Sequence, residues 1–358
     1  MKVIEAAERL INGRELIEGS VTLDLDGFTV AVYSNDERML ERLGIYFSSV
    51  LGAGEPDVEI LVLEGAVPEL ELAFADWSRE PGKTGRKDAI ADLEDGRILR
   101  KVRTGMTFLQ SRSHLIAAGA CLANDNQVIN FILNQQMSHI QNHGGLICHA
   151  SGLVRQGRGL GIAGFSGGGK STLMLKMMEQ DDVDFLTNDR LFLTPEAGAV
   201  TAHGIAKMPR VNPGTLLNSD RLRTLLGEER CRELDSLPVS ALWDLEEKYD
   251  VDIEDFYGEG RIAARAPFGA FLILNWKRDG MEDCEIAPVE LDERPDLLPA
   301  VMKSPGPFHQ DTEGRFLEDG AVLDPAPYLA CLTNRPIFEA TGKVDFDAAV
   351  RFIQAMKL

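Results

Sequence analysis

Residues 161–172 read GIAGFSGGGKST, and the fold of the chain turns on that stretch. Gly164-Phe-Ser-Gly-Gly-Gly169-Lys170-Ser171 fits G-x-x-x-x-G-K-[ST] in full. It follows the apolar run GLGIAGF and opens the helical run KSTLMLKMMEQ, the strand, loop and helix context that the motif requires. Gly167, Gly168 and Gly169 let the backbone curl with its N–H groups turned inward, an anion-binding concavity at a helix N-terminus. Lys170 supplies a point charge for the β and γ phosphates, and the Ser171 hydroxyl is set to ligate Mg²⁺. Gly164, Ser166, Gly167, Gly168, Gly169, Lys170, Ser171 and Thr172 are thus expected to bind a nucleotide. An incidental glycine-rich turn is the alternative.

The loop alone does not separate transfer to an acceptor from hydrolysis; its neighbours do. In TNDR, Asn188 stands 18 residues after Lys170 at the end of the next strand, followed by Asp189. If that strand pairs beside the loop's own strand, Asp189 lies near the metal and γ-phosphate, where it can hold Mg²⁺ or accept a proton. A plain Asn-Asp turn is the bland alternative. His149, in ICHASG on the strand before the loop, is either a core histidine or part of the site. Further on, HGIAKMPRVNPGTLLN brings Lys207 and Arg210 to a Pro- and Gly-rich loop, where two cations suit a leaving β-phosphate or an acidic acceptor, or else a solvated surface.

The rest of the chain sets bounds. Its 358 residues, 44% hydrophobic and 26% charged, suffice for two domains. A net charge of −20 argues against a nucleic-acid partner. The five cysteines are scattered without metal-ligand spacing, as in a reducing compartment. The N-terminus lacks an apolar signal region and no run is long enough to cross a bilayer, so a cytoplasmic protein without a membrane partner is expected.

SVTLDLDGFTVAVY reads as a hairpin around Asp26-Gly27, VEILVLE as a strand, and NDNQVINFILNQQMSHIQNHGG as a capped helix ending before Gly144. LICHASGLV and GLGIAGF read as adjacent strands joined by a tight turn, VDFLTNDRLFLT as a strand running past its polar pair, FGAFLILNW as a strand and VDFDAAVRFIQAMKL as a capped helix. A tract containing Lys83, Arg86, Lys87, Arg97, Arg100, Lys101 and Arg103 is locally basic, either a solvated face or a docking patch for an acidic partner. The expected organisation is an α+β region over 1–143 and an α/β nucleotide domain with a mixed sheet over 144–358.

The order of His149-Ala150 on one strand, the loop on the next and Asn188-Asp189 after it resembles the HPr kinase/phosphorylase family, with specific motifs over roughly residues 145–215. NQVINFILNQQMSHIQNHGGLICHASGLV and KMPRVNPGTLL look most like its HPr kinase-related kinase B subgroup. The resemblance implies a nucleotide fold shared with phosphoenolpyruvate carboxykinase, bacterial origin and ATP-dependent transfer to a hydroxyl of a protein or small molecule. It further implies that His149 tunes the acidic pair, and relatives of this fold often form rings or dimers. The family pattern carries Asp-Asp where this chain has Asn188-Asp189, and Asn188 takes no proton. Asp189 or His149 then serves as base, or a loose transition state needs little base. A nucleotide-binding regulatory protein without turnover is the alternative. A guanine-nucleotide switch is disfavoured because no N-K-x-D motif is present.

Overall fold

Asp26 and Gly27 both take positive φ, 63° and 88°, as a two-residue hairpin turn demands. The flanking runs pair antiparallel as β1 (Val21–Asp24) and β2 (Thr29–Ser34). The computed structural model describes residues 1–79, 85–165, 167–238, 241–242, 245 and 247–357. By internal packing the chain falls into two units, Met1–His143 with Ser304–Val322, and Gly144–Lys303 with Leu323–Leu358.

In the first unit β3 (Val58–Glu64) lies parallel to β2. It is followed by β4 (Ala75–Trp77), β5 (Asp88–Asp92), β6 (Gly96–Lys101), β7 (Thr107–Ser111) and β8 (Leu115–Gly119). They form a mixed sheet ordered β1-β2-β3-β8-β7-β6-β5-β4. Helix α1 (Val3–Ile11) buries Val3, Ala6, Ala7 and Leu10, spaced to share one helical face, in a cluster with Leu109, Ile116 and Ala118. Helix α2 (Glu37–Tyr46) begins where Asp36 accepts from the Arg38 N–H. Helix α3 (Asp125–Asn142) sets Phe131 against Phe108.

Residues 304–322, assigned on sequence to the second domain, belong to this first unit. Phe308 packs on Phe108 and Phe131 with ring centroids 5.5 and 5.4 Å apart. Arg97, 3% exposed, donates to the carbonyls of Pro307 and Leu317, 210 and 220 residues away in sequence. Anchors that remote leave no local signal in 304–322. Within the basic tract Arg86 pairs with Asp76, Arg97 with Asp92 and Lys101 with Asp88, Arg100 lies over Phe74, and Lys87 and Arg103 are exposed. Lys83 lies outside the described residues.

The second unit holds β9 (Leu146–Cys148), β10 (Ala150–Arg155), β11 (Arg158–Gly164), β12 (Val183–Thr187), β13 (Leu191–Glu196), β14 (Ala199–His203), β15 (Arg210–Val211), β16 (Tyr249–Asp250), β17 (Arg265–Leu274), β18 (Glu285–Pro288) and β19 (Ile337–Thr341). The large sheet runs β12-β10-β11-β17-β14-β13-β9, and β19 also joins β17 and carries β18. β11, β17 and β19 are mutually parallel, so the sheet is mixed. β17 divides one edge, pairing with β14 through 265–267 and with β19 through 271–274. Helix α4 (Lys170–Met178) covers one face, burying Leu173, Met174 and Met177 with Leu160, Ile162 and Leu272. Phe271, Ile273 and Ala163 belong to a second apolar cluster.

One expected pairing is corrected. β12 does not lie beside β11; it pairs with β10. Both edges of β11 are already taken, one by β10 through the tight turn at Gln156-Gly157 and the other by β17.

Candidate functional site

Segments 146–155 and 183–196 run antiparallel to each other, and their ladder is interrupted at one place. Leu191 stands opposite Cys148 at one end and Thr187 opposite Gly152 at the other. His149, which separates β9 from β10, and Asn188, Asp189 and Arg190, which separate β12 from β13, fall in the interval. The strand expected to run straight past its polar pair is therefore two strands. Asp189 adopts φ 71°, a left-handed conformation that an L-residue with an ordinary side chain enters at a cost.

The glycine loop approaches from β11. Gly167 and Gly169 take φ of 75° and 87°, and α4 starts at Lys170. Ser166 lies outside the described residues. A Cβ at Gly164 would stand 2.9 Å from the Leu274 carbonyl oxygen, so this position requires glycine for space as well as conformation. Lys170 is 8% exposed; its Nζ donates to the carbonyl oxygens of Gly164 at 2.7 Å and Phe165 at 3.4 Å. Ser171 Oγ donates to Asn188 Oδ1 at 2.7 Å, and Ser151 Oγ donates to the same oxygen at 3.0 Å. The Thr172 hydroxyl instead meets Thr215 Oγ1 at 2.9 Å. Asn188 is thus in direct contact with the helix start, even with β10 between its strand and β11.

Asp189 sits beside a histidine and two cations. His149 Nε2 lies 3.3 Å from Oδ1, Lys303 Nζ 3.1 Å from Oδ2 and Arg190 Nε 4.0 Å from Oδ2. Burial would raise its pKa, but the His149 hydrogen bond, Lys303 and Arg190 outweigh that effect and hold the carboxyl well below the usual carboxylate range. Lys207 is pushed down to about 8 by burial and by Arg190 and Arg210, against the opposing pull of Asp189 and Asp250. Arg210 pairs with Asp250 at 3.0 Å across the β15–β16 ladder. Lys207 therefore belongs electrostatically with Asp189 and Arg190, whereas Arg210 has its own carboxylate.

Sequence reasoning missed Ser151, Arg190 and Lys303. Ser151 was within reach, because i and i+2 along a strand share a face and His149 had been singled out. Lys303 was not, since it stands 114 residues from the carboxylate it pairs with.

The oxygens of Ser171, Asn188 and Asp189 are hard donors of the kind Mg²⁺ takes, and Mg²⁺ is commonly held by one or two protein oxygens together with substrate phosphates. Among the described residues no group of three His, Cys, Asp or Glu could hold a metal by itself. The donor set fits a metal that arrives with a nucleotide. Also among the described residues, no helix is long and apolar enough to cross a membrane.

A scan against models of protein families found no match. A search of curated proteins likewise found none. Among solved structures the chain is similar to the Hpr(Ser) kinase/phosphatase from Coxiella burnetii, at 10% identity and a TM-score of 0.28, over 58% of this chain and 86% of that one. A likeness that slight carries no argument.

Proposed function

We propose that the chain is an ATP- and Mg²⁺-dependent phosphotransferase that passes the γ-phosphoryl group to a hydroxyl of a protein or a small molecule. The observation that carries this reading is the meeting of Ser171, at the first turn of α4, with Asn188, next to the His149–Asp189–Lys303 cluster. A glycine loop at that helix start offers backbone N–H groups to phosphate oxygens, with Lys170 as the charge beside them. Mg²⁺, when bound, neutralises charge developing across the β and γ phosphates.

The chain's own groups suggest how transfer proceeds. Asp189, with its proton affinity suppressed, acts as a fixed negative charge that keeps His149, Lys303 and Arg190 in place, and it is a poor proton acceptor. Asn188 accepts from Ser171 and Ser151 and takes no proton. Transfer to a hydroxyl through a loose transition state needs little help from a base, and this site is suited to that regime. A homo-oligomer in the cytosol is part of the proposal. The same two observations favour a second reading, in which the site binds nucleotide and a partner without turnover.

The test is transfer of labelled γ-phosphate from ATP and Mg²⁺ in lysate of the native host, with wild type beside Lys170→Ala and Asp189→Ala. Gel electrophoresis and thin-layer chromatography separate the products. A labelled protein or metabolite that requires both residues supports the phosphotransferase and reveals its acceptor. Tight ATP binding with no labelled product moves the assignment to the nucleotide-binding reading.

A further inference from the structure

Gly167, Gly168 and Gly169 are gripped by residues that no nucleotide motif includes. Trp276 Nε1 donates to the Gly168 carbonyl oxygen at 2.8 Å, and Arg278 Nη2 donates to the Gly167 carbonyl oxygen at 2.7 Å. Trp276 is 8% exposed and meets Phe346 edge-on, ring centroids 5.2 Å apart at 83°. Phe346 also stands against the loop, since a Cβ at Gly169 would come 2.6 Å from its Cζ. The grip is built into the sheet. Past the end of β17, the Asn275 and Lys277 N–H groups donate to the carbonyls of Ala340 and Gly342, extending the β17–β19 pairing to the residues on either side of Trp276. Phe346 opens a helix capped by Asp345 only a few residues after β19.

Peptide planarity gives the grip a consequence. In a trans peptide the carbonyl of one residue and the N–H of the next point in opposite directions. An indole that fixes the Gly168 carbonyl outward fixes the Gly169 N–H on the opposite side, toward the inside of the curl. The same geometry at Gly167 turns the Gly168 N–H inward, where it donates to the Phe165 carbonyl at 3.0 Å and closes the loop on itself.

Resting on the reading of this loop as a phosphate site, we propose that Trp276 and Arg278 are positioning residues that hold the Gly168 and Gly167 carbonyls outward, Trp276 thereby aiming the Gly169 N–H at a polyphosphate. Neither side chain touches the ligand; both act through the backbone. The ligand class is the polyphosphate itself, independent of the base attached to it.

Isothermal titration of the full chain with Mg-ATP and with inorganic tripolyphosphate, with Lys170→Ala as reference, tests this. Trp276→Phe keeps an aromatic ring for Phe346 and removes the N–H together with part of the indole. Its expected effect is a Kd about tenfold weaker for both ligands, the loss of about one well-made hydrogen bond's worth of alignment. Equal weakening with tripolyphosphate marks a defect at the phosphates and not at a base pocket. Arg278→Gln, at an exposed side chain, is expected to weaken both by about threefold and serves if Trp276→Phe does not fold. Wild-type affinity for both ligands in either folded variant, while Lys170→Ala loses binding, overturns the positioning role and leaves the nucleotide reading standing. Wild-type protein that binds neither ligand overturns both.

Discussion

Lys303→Met removes one of the groups that hold Asp189 in its ionised form, the others being His149 and Arg190. The Nζ–Oδ2 separation is 3.1 Å, at which Coulomb's law gives about 5 kcal/mol at an effective dielectric of about 20 and about 1.3 kcal/mol in water. The Asp189 side chain is 48% exposed and that of Lys303 15%, so solvent screening acts strongly on one partner. Methionine also relieves the desolvation of the buried ammonium. The expected net cost is about 1–2 kcal/mol, corresponding to a rise of about one unit in the Asp189 pKa. The sign follows from the depressed folded-state pKa. Such a carboxylate adds stability above its unfolded value, about 3.9, and loses it as pH falls toward the folded value. With His149 and Arg190 still in place, Asp189 stays ionised in both proteins from pH 8 down to about 4.5, so the stability gap is flat there. Urea unfolding of wild type, Lys303→Met, Asp189→Asn and the double variant gives the coupling directly, expected at about 1–2 kcal/mol and reduced in high salt. A coupling below about 0.3 kcal/mol, or a gap that opens between pH 7 and 4.5, refutes the electrostatic account.

Other outcomes follow from single contacts. The Lys207 ammonium opposes folding below its folded pKa of about 8, and that penalty fades as pH rises toward the free value of about 10.4; Lys207→Met is accordingly expected to gain about 2 kcal/mol at pH 7, vanishing by about pH 10 in urea titrations. Gly161→Ala would drive a methyl into the ring of fully buried Phe271, and calorimetry is expected to show a loss of about 3 kcal/mol or more. Asn188→Asp retains an acceptor for Ser171 and Ser151 and adds an acid. If transfer needs little base, kcat changes by less than about threefold; a gain of about 10²–10⁴ would show that a base is what the site lacks.

Local patterns carried much of the architecture. The Asp26-Gly27 turn, the alternation in 58–64, the capped run 125–142 and the glycine loop before α4 each require only neighbouring residues, because turn conformation, face alternation and helix entry are short-range properties. The break at His149 and the one at Asn188–Arg190 escaped that reading. Both belong to one interruption of a single antiparallel ladder whose register is the same on either side, and periodicity along one strand does not show where its ladder is interrupted.

By itself, then, the sequence marked the hairpin, the long capped helix and the glycine loop before its helix, and which residue types stand at the loop and at the Asn188-Asp189 corner. Only the tertiary structure decided what those residues meet. It set Asn188 on Ser171 and Ser151, brought Lys303 to Asp189 and placed Trp276 and Arg278 behind the glycine loop. It also carried residues 304–322 back to the first unit, onto Phe108, Phe131 and Arg97. These contacts join residues up to 220 apart in sequence, so they depend on which segments the fold brings together, which short-range patterns do not encode.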